Sequence, residues 1–243
     1  MHLPFWISTA LLAPLLVWQG KRLRRTTPRL PEASGQHHGQ HGDGKPALRL
    51  LVIGESTAAG VGVAHHQQGL ASQLARQLQQ QSRRTIGWYS HGINGIRLQG
   101  LLDNLKHTAL PAADVILLSM GVNDTTGLTP RRHFRQQLLA MSAQLPGPLY
   151  LISVPPMHRF TALPSPLRQL LGWRARQLDA IQQQLAHKHP DAFIYLSYPT
   201  INDPALLAED GYHPGAEGYR AIATALAPSL VTRLLTSEKR REN

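Results

Sequence analysis

From residue 48 onward, the chain alternates short apolar runs with longer stretches in which apolar residues recur at helical spacing. Apolar runs separated by amphipathic helices are typical of a parallel sheet that helices cover on both faces. The pattern therefore predicts an α/β domain over residues 48–236. Its predicted strands are residues 48–53, 86–90, 115–120, 149–154 and 193–196, and its predicted helices are residues 67–80, 98–105, 130–143, 166–186 and 216–235. Thr129 and Pro130 predict the start of one helix, with threonine as the N-cap and proline at the first helical position.

The N-terminus has a different pattern. Residues 3–18 carry no charge and are followed at once by a basic cluster, which consists of Lys21, Arg22, Arg24 and Arg25. The apolar stretch is slightly shorter than the roughly 20 residues that a spanning helix needs, and Trp6 and Trp18 near its ends suit the headgroup regions of a bilayer. A cleaved signal would have its positive charge before the apolar stretch. We predict that residues 1–20 are an uncleaved membrane anchor, either spanning or interfacial; the alternative is an apolar helix packed on its own domain.

Residues 21–47 are basic, rich in Pro, Gly, His and Gln, and without apolar periodicity. This composition predicts a linker between the anchor and the domain. His37, His38 and His41 in this stretch could bind a metal, but no carboxylate or second histidine pair is spaced to complete a site. We therefore expect a solvated, histidine-rich linker and no metal.

The positive charge of the chain is concentrated toward its two ends. The 243 residues carry a formal net charge of +11, with basic groups at 21–29 and in a basic tail at 237–243. Basic residues beside an apolar segment favour contact with anionic lipid headgroups, here through residues 1–25. The positive-inside rule then predicts an inner-membrane location with the domain on the cytoplasmic side. Nucleic acid is not an expected partner, because the aromatic residues are few and scattered.

Two sets of residues that could take part in catalysis lie near opposite ends of the domain. Ser56 follows the first predicted strand in the loop GESTAAG, where small neighbours would let a substrate approach. Asp210 lies three residues before His213 in DGYHP, a spacing at which the carboxylate can accept from the imidazole Nδ1 and leave Nε2 free to take a proton. Taken singly, the serine could belong to an ordinary turn and the aspartate could cap a helix. The chain has no cysteine, so a nucleophile must be an oxygen.

Two further loops follow the second and third predicted strands. The loop HGING contains Gly92 and Gly95, and the loop MGVND contains Asn123 and Asp124. A glycine N–H and an asparagine amide are donors that can bind a developing oxyanion without adding charge. Each has a plainer alternative, a turn glycine or an Asx-turn.

In combination, the serine, the glycine, the asparagine and the D-x-x-H pair occur in that order at the carboxyl ends of successive α/β elements. This arrangement resembles the SGNH or GDSL-type serine hydrolases over about residues 48–226. The resemblance implies a flavodoxin-like three-layer α/β/α fold with a five-stranded parallel sheet in the order 2-1-3-4-5. It also implies that no metal or organic cofactor is needed.

The resemblance further implies a role for each matched residue. The catalytic triad would consist of Ser56, Asp210 and His213. The oxyanion hole would be formed by the backbone N–H groups of Ser56 and Gly95 and the side-chain amide of Asn123, with Gly95 preferred to Gly92. Glu55 departs from the pattern, because the family commonly has Asp before the nucleophile. We expect Asp124 to hold the nucleophile loop in place.

The activity implied is that of a serine esterase acting on acyl esters, and the predicted anchor favours lipid-like ones. Residues 157–173 could form an apolar lid or wall beside the site. The alternatives are a carbohydrate O-acetyl esterase and a non-catalytic binding module on the same fold. The sequence leaves the oligomeric state open.

Overall fold

A six-stranded sheet forms the centre of the computed structural model, which describes residues 3–199 and 203–242. The strands are β1 (His38–His41), β2 (Leu48–Gly54), β3 (Ile86–Gly92), β4 (Val115–Ser119), β5 (Leu149–Ile152) and β6 (Phe193–Leu196). Their order across the sheet is β1-β3-β2-β4-β5-β6. Strands β2 to β6 are parallel to their neighbours among themselves, and in the numbering of the five predicted strands their order is 2-1-3-4-5. The expected parallel sheet is therefore confirmed.

Strand β1 is an addition to the expected sheet. It pairs antiparallel with β3 at the sheet edge, where His38 lies opposite Tyr89 and His41 lies opposite Ile86. Its side chains alternate between exposed and half-buried, and its sequence HGQH contains no apolar residue. The linker prediction is wrong for this stretch, because backbone pairing rather than an apolar face holds the strand.

The helices of the described residues cover both faces of the sheet. They are α1 (Leu3–Thr26), α2 (Leu70–Ser82), α3 (Leu98–Leu105), α4 (Val122–Thr126), α5 (Arg131–Gln144), α6 (Leu167–Lys188) and α7 (Ala216–Glu242). Helices α3, α5 and α6 share one apolar core with Leu51 and Ile53 of β2. Helices α2 and α7 share the other core with Leu50 and Val52. Because successive side chains of a strand point to opposite faces, the continuous apolar run of β2 serves both cores, and the three-layer α/β/α fold is confirmed.

Two details around α4 and α5 differ from the prediction. Pro130, not Thr129, occupies the N-cap position of α5. The predicted cap is wrong, because α5 begins one residue later than predicted; the Thr129 hydroxyl lies before the cap position and donates to the Asp124 carboxylate at 2.7 Å. Helix α4 was not predicted, since five residues are too few to show helical periodicity.

Helix α1 packs on its own domain along one face, as the alternative to an anchor predicted. Phe5 is fully buried, with its ring edge-to-face against Trp173 at 5.5 Å and the Arg174 guanidinium 5.7 Å from its centroid. The Gln19 amide donates to a backbone carbonyl just before α6 and accepts from the Leu167 N–H. The contacts of this face therefore attach α1 to α6.

The two ends of the chain bear on the remaining predictions. No helix within residues 3–199 or 203–242 is long and apolar enough to cross a membrane. The spanning form of the predicted anchor is thus not found in those residues, and Met1 and His2 lie outside them. The predicted basic tail at 237–243 forms the end of α7 as far as Glu242, and Asn243 lies outside the described residues.

The segment after α1 is also part of the domain. The Ala33 N–H donates to the Ala59 carbonyl at 3.0 Å, and the Ser34 N–H donates to the Ala64 carbonyl at 2.9 Å. The linker prediction is wrong here as well, because these contacts join backbone to backbone and leave no periodic signal in the sequence. No group of three His, Cys, Asp or Glu in the described part of the chain is placed to hold a metal.

Candidate active site

A cavity of about 380 Å³ lies at the carboxyl ends of the parallel strands, where the loops after β2 to β6 all contribute to its lining. The predicted site residues that line this cavity are Ser56, Asn123, Asp210 and His213. Gly95 follows Asn94, which also lines the cavity. The fold therefore brings together side chains that are up to 157 positions apart in the sequence.

Ser56 stands on a tight turn directly after β2. The N–H groups of Ala58 and Ala59 both donate to the Glu55 carbonyl at 3.0 Å, and the Val61 N–H donates to the Ser56 carbonyl at 3.0 Å. Ser56 is 8% exposed, so its surroundings are largely shielded from bulk water while the residue still borders the cavity. A largely buried serine in the loop that follows a strand, at the edge of a cavity, is well placed to act as a nucleophile.

The two glycines of the HGING loop have different surroundings. A Cβ at Gly92 would lie 1.9 Å from the Ala59 nitrogen, so this glycine lets β3 approach the turn that carries Ser56. Gly95 has a φ of +79°, and nothing lies within 4 Å of the point where its Cβ would stand. Close packing therefore explains the glycine at position 92, whereas Gly95 lies in a turn with open space beside it.

Asp210 and His213 form a close pair on the loop before α7. The Asp210 Oδ2 lies 2.6 Å from the His213 Nδ1, and its Oδ1 accepts from the N–H groups of Tyr212 and His213 at 2.9 and 3.0 Å. Burial alone would raise the pKa of Asp210, but the hydrogen bonds from the His213 ring and from the two N–H groups lower it. An ionised Asp210 requires the proton of a neutral imidazole to be on Nδ1, which leaves Nε2 as an acceptor.

Glu55 holds the loop that carries Asn123. Its Oε1 accepts from the Val122 N–H at 2.9 Å, and its Oε2 accepts from the N–H and the side-chain amide of Asn123 at 2.9 and 2.5 Å. Burial raises the pKa of Glu55 to about 7, although the hydrogen bonds from Asn123 and Val122 oppose this rise. Sequence reasoning noted Glu55 only as a departure from the family pattern and missed these contacts, although a carboxylate at the end of a buried strand is a signal that it needs donors nearby.

Asp124 does not hold the nucleophile loop, so that prediction is wrong. Its carboxylate accepts from the Leu98 N–H at 3.0 Å and from the Thr129 hydroxyl at 2.7 Å. Burial raises the pKa of Asp124, partly offset by these two hydrogen bonds. Asp124 therefore joins the start of α3 to the turn before α5. The nucleophile loop is instead held to the loop of Asn123 by the hydrogen bonds of Glu55.

One wall of the cavity is apolar. It includes Met157, Phe160 and Leu163 from the segment between β5 and α6. This confirms that part of residues 157–173 forms a wall beside the site. Trp173 lies elsewhere and packs against Phe5 of α1.

The rim of the cavity also includes residues that the sequence assigned to a linker. Thr27, Pro28, Arg29 and Leu30 line it. Thr27 lines the cavity together with Tyr212, which lies between Asp210 and His213 in the chain. The segment that follows α1 thus shares the cavity with the loop that carries the Asp210/His213 pair.

The sequence profile of the GDSL-like Lipase/Acylhydrolase family matches residues 52–221. The chain belongs to this family. The GDSL-like match includes Ser56, Asn123, Asp210 and His213, and it begins after β1 and the first part of β2. The description of this family names lipases and acylhydrolases.

Relatives of this GDSL-like chain include esterases. The GDSL-like esterase Rv1075c of Mycobacterium tuberculosis (strain ATCC 25618 / H37Rv) is 28% identical over 189 residues, which cover 74% of this chain. The aligned region spans about 60% of the length of that relative. The whole relative is thus longer than the part that the two proteins share.

Solved structures share the GDSL-like fold. The esterase EstA from Pseudoalteromonas sp. is 15% identical with a TM-score of 0.55, and the alignment covers 77% of this chain and 98% of EstA. The acetylxylan esterase Axe2 from Geobacillus stearothermophilus is 18% identical with a TM-score of 0.52, and the alignment covers 74% of this chain and 92% of Axe2. At these identities the likeness supports the fold alone.

Proposed function

We propose that this GDSL-family chain is a serine hydrolase that cleaves carboxylic acyl esters through a triad of Ser56, His213 and Asp210. The observation that carries the proposal is the shared cavity: a serine, a histidine hydrogen-bonded to a buried aspartate, and an asparagine amide line one space. A non-catalytic binding module on the same fold would have no need for this combination.

In the proposed mechanism, the Ser56 Oγ attacks the carbonyl carbon of the ester while His213 Nε2 takes the hydroxyl proton. Asp210 keeps the ring oriented and stabilises the imidazolium. The proton then passes to the departing alkoxide, which leaves as an alcohol, and an acyl-enzyme remains on Ser56. Water repeats the sequence with His213 as its base, so the acid is released and Ser56 regains its proton.

The proposed oxyanion hole uses the N–H groups of Ser56 and Gly95 and the side-chain amide of Asn123. Asn123 lines the cavity, and Glu55 occupies only one of its two amide N–H groups. The second N–H is therefore available to an oxyanion. Three donors around one oxygen would stabilise the tetrahedral intermediate most strongly in a site shielded from water.

The lining favours an acyl group over an acetylated sugar. Met157, Phe160, Leu163 and Leu30 offer apolar contact, which an acyl chain would use and a sugar would not. Because one structural neighbour is an acetylxylan esterase, the test also includes the carbohydrate alternative as a possible outcome. The proposed reaction uses no metal or organic cofactor. The location of the domain on the cytoplasmic side of the inner membrane stays a prediction.

The proposal is tested with the full chain and a series of p-nitrophenyl esters from acetate to palmitate. We expect turnover that rises from acetate to medium-length chains, because the apolar wall can contact them. Ser56→Ala, which keeps the fold, serves as the control and should abolish both turnover and labelling by a fluorophosphonate probe. A sharp preference for acetate would favour the carbohydrate alternative, and the absence of labelling and turnover would favour a binding module.

A further inference from the structure

The exposed apolar side chains of the described residues are concentrated on α1. Among the side chains that the structure describes, which are those of residues 4–199 and 203–232, large hydrophobic ones that are at least 40% exposed occur on α1 and at only one other position, Leu139 of α5. We call those on α1 the outer face, and its members are Trp6, Ile7, Leu11, Leu15, Val17 and Trp18. Leu11 is 77% exposed, which is a high value for a leucine within a helix. A contiguous apolar patch on a protein surface usually marks a contact with something else.

The outer face lies opposite the part of α1 that packs on the domain. Ile7, Leu11, Leu15 and Trp18 follow each other at intervals of four, four and three residues, so they share one side of the helix. Phe5, Leu16 and Gln19 are buried on the side that contacts α6. Helix α1 is therefore apolar on two sides, of which the domain covers one.

The charges next to the outer face indicate what could cover it. Residues 3–31 contain no acidic residue. The last turns of α1 carry exposed basic side chains, which are Lys21, Arg22, Arg24 and Arg25. The Arg22 guanidinium lies 5.5 Å from the centroid of the Trp18 ring, so the basic cluster adjoins the apolar patch directly. An apolar face with a basic flank complements a bilayer that contains anionic lipid, because acyl chains take the apolar groups and headgroups take the cations.

We propose that the outer face of α1 is a contact surface for an anionic lipid bilayer, with α1 lying in the plane of the membrane interface. Trp6 and Trp18 lie near the two ends of the outer face, where indole rings are suited to the headgroup region. The buried side of α1 stays on α6, so the domain need not unfold to bind. The bilayer contact depends on α1 alone and not on the triad.

The position of the cavity gives this contact a consequence that rests on the proposed function. Residues 27–30 directly follow α1 and line the cavity. Lipid contact along α1 would therefore bring the rim of the site close to the interface. An ester dissolved among lipids would reach Ser56 with a short transfer through water.

Vesicle co-sedimentation of the full chain tests the contact directly. The probes are vesicles of phosphatidylcholine alone and vesicles of three parts phosphatidylcholine to one part phosphatidylglycerol. We expect binding to the anionic vesicles that weakens with salt. The triple variant Ile7→Gln, Leu11→Gln, Trp18→Gln should reduce the partition coefficient by at least about tenfold, because three apolar side chains lose their transfer into lipid. The double variant Arg24→Gln, Arg25→Gln should weaken binding to anionic vesicles only.

Matched variants elsewhere on the surface serve as controls. Leu139→Gln removes an exposed apolar side chain from α5, and Arg132→Gln with Lys188→Gln removes two exposed basic ones. Both should bind vesicles like the parent chain. Ser56→Ala should also bind equally, which separates this proposal from the proposed activity. The proposal is overturned if the parent does not bind, if the triple variant binds equally, or if sedimentation in solution shows an oligomer that the triple variant disperses.

Discussion

The carboxylate of Glu55 accepts hydrogen bonds from both the backbone N–H and the side-chain amide of Asn123. An ionised carboxylate has no proton to donate, so this contact directs the Asn123 Nδ2 group toward Glu55. The other N–H of that group can then face a substrate oxygen in the cavity that Asn123 lines. Glu55 is thus a positioning residue for the proposed oxyanion hole.

Glu55→Gln should slow the proposed reaction with little change in substrate binding. The amide nitrogen of the new glutamine would face a backbone N–H of Val122 or Asn123. Two donors cannot bond each other, so at least one hydrogen bond is lost. We expect kcat on p-nitrophenyl butyrate to fall by about tenfold or more, with KM nearly constant. Glu217→Gln on the exposed surface of α7 is the matched control. A variant with the parental kcat would show that Glu55 has no positioning role.

Asn123→Ala should cost more than the change at Glu55, because it removes the donor itself. Loss of one oxyanion donor costs on the order of 3 kcal/mol in the barrier, which corresponds to a fall of about a hundredfold in kcat. The fold should persist, since Glu55 keeps its bonds to the two backbone N–H groups. Steady-state kinetics together with thermal unfolding would separate the two effects. Unchanged turnover in a folded variant contradicts the oxyanion assignment.

The raised pKa of Glu55 predicts how stability depends on pH. The unfolded chain releases this proton near pH 4.5, and the folded protein releases it near about 7. Between these values unfolding releases a proton, so the free energy of unfolding should decrease as pH rises through the window. The decrease attributable to Glu55 is on the order of 3 kcal/mol. Urea unfolding at several pH values should show a flatter profile for Glu55→Gln than for the parent, and identical profiles would disprove the coupling.

Asp210→Asn should reverse the orientation of the imidazole proton. An asparagine amide can donate to His213 Nδ1, which would move the ring proton to Nε2 and leave it unable to accept from Ser56. We expect kcat to fall by about ten-thousandfold while the fold is retained. Asp203→Asn provides a control on a nearby loop, where Asp203 accepts from the Ala205 N–H. If both variants were equally active, the role of Asp210 in the triad would have to be abandoned.

Phe5→Ala should release α1 from the domain. The Phe5 ring is fully buried and contacts both Trp173 and Arg174 of α6, so its removal leaves a void and an uncovered guanidinium. We expect faster trypsin cleavage after Lys21 to Arg25, measured as a rate of fragment formation. Leu11→Ala, at the most exposed position of the outer face, is the matched control and should leave the rate unchanged. Equal rates for Phe5→Ala and the parent would mean that this contact does not hold α1.

The sheet and the four chemical loops were predictable because they depend on local signals. The apolar runs define β2 to β6. The serine, glycine and asparagine motifs are short and follow strand ends, and the short D-x-x-H motif lies in the loop before α7. The edge strand β1 was not predictable from hydrophobicity, since HGQH has no apolar side chain. The contacts of Glu55 with Asn123 also escaped, because they join residues 68 positions apart and only the fold brings them together.

The mixed nature of α1 explains why the sequence left two alternatives for it, an anchor and a helix packed on its own domain. Apolar residues on two sides of a helix indicate burial of both sides, and the sequence alone cannot tell whether protein or lipid covers each. The structure assigns one side to α6 through Phe5 and Gln19. The segment after α1 was hidden for a different reason, since backbone pairing and isolated polar contacts hold it, such as the Glu32 carboxylate that accepts from the Asn94 N–H at 2.6 Å, and these leave no apolar periodicity in the sequence.

The residues that match the family profile do not contain the whole cavity. Thr27 to Leu30 line it and precede the matched region, which begins at residue 52. An alignment trimmed to that region would therefore compare the proposed reactive groups of two members while omitting part of the cavity in which we propose that the substrate binds. Members with the same triad could diverge in chain-length preference through changes upstream of it, and a swap of this short stretch between them would be the natural way to transfer that preference.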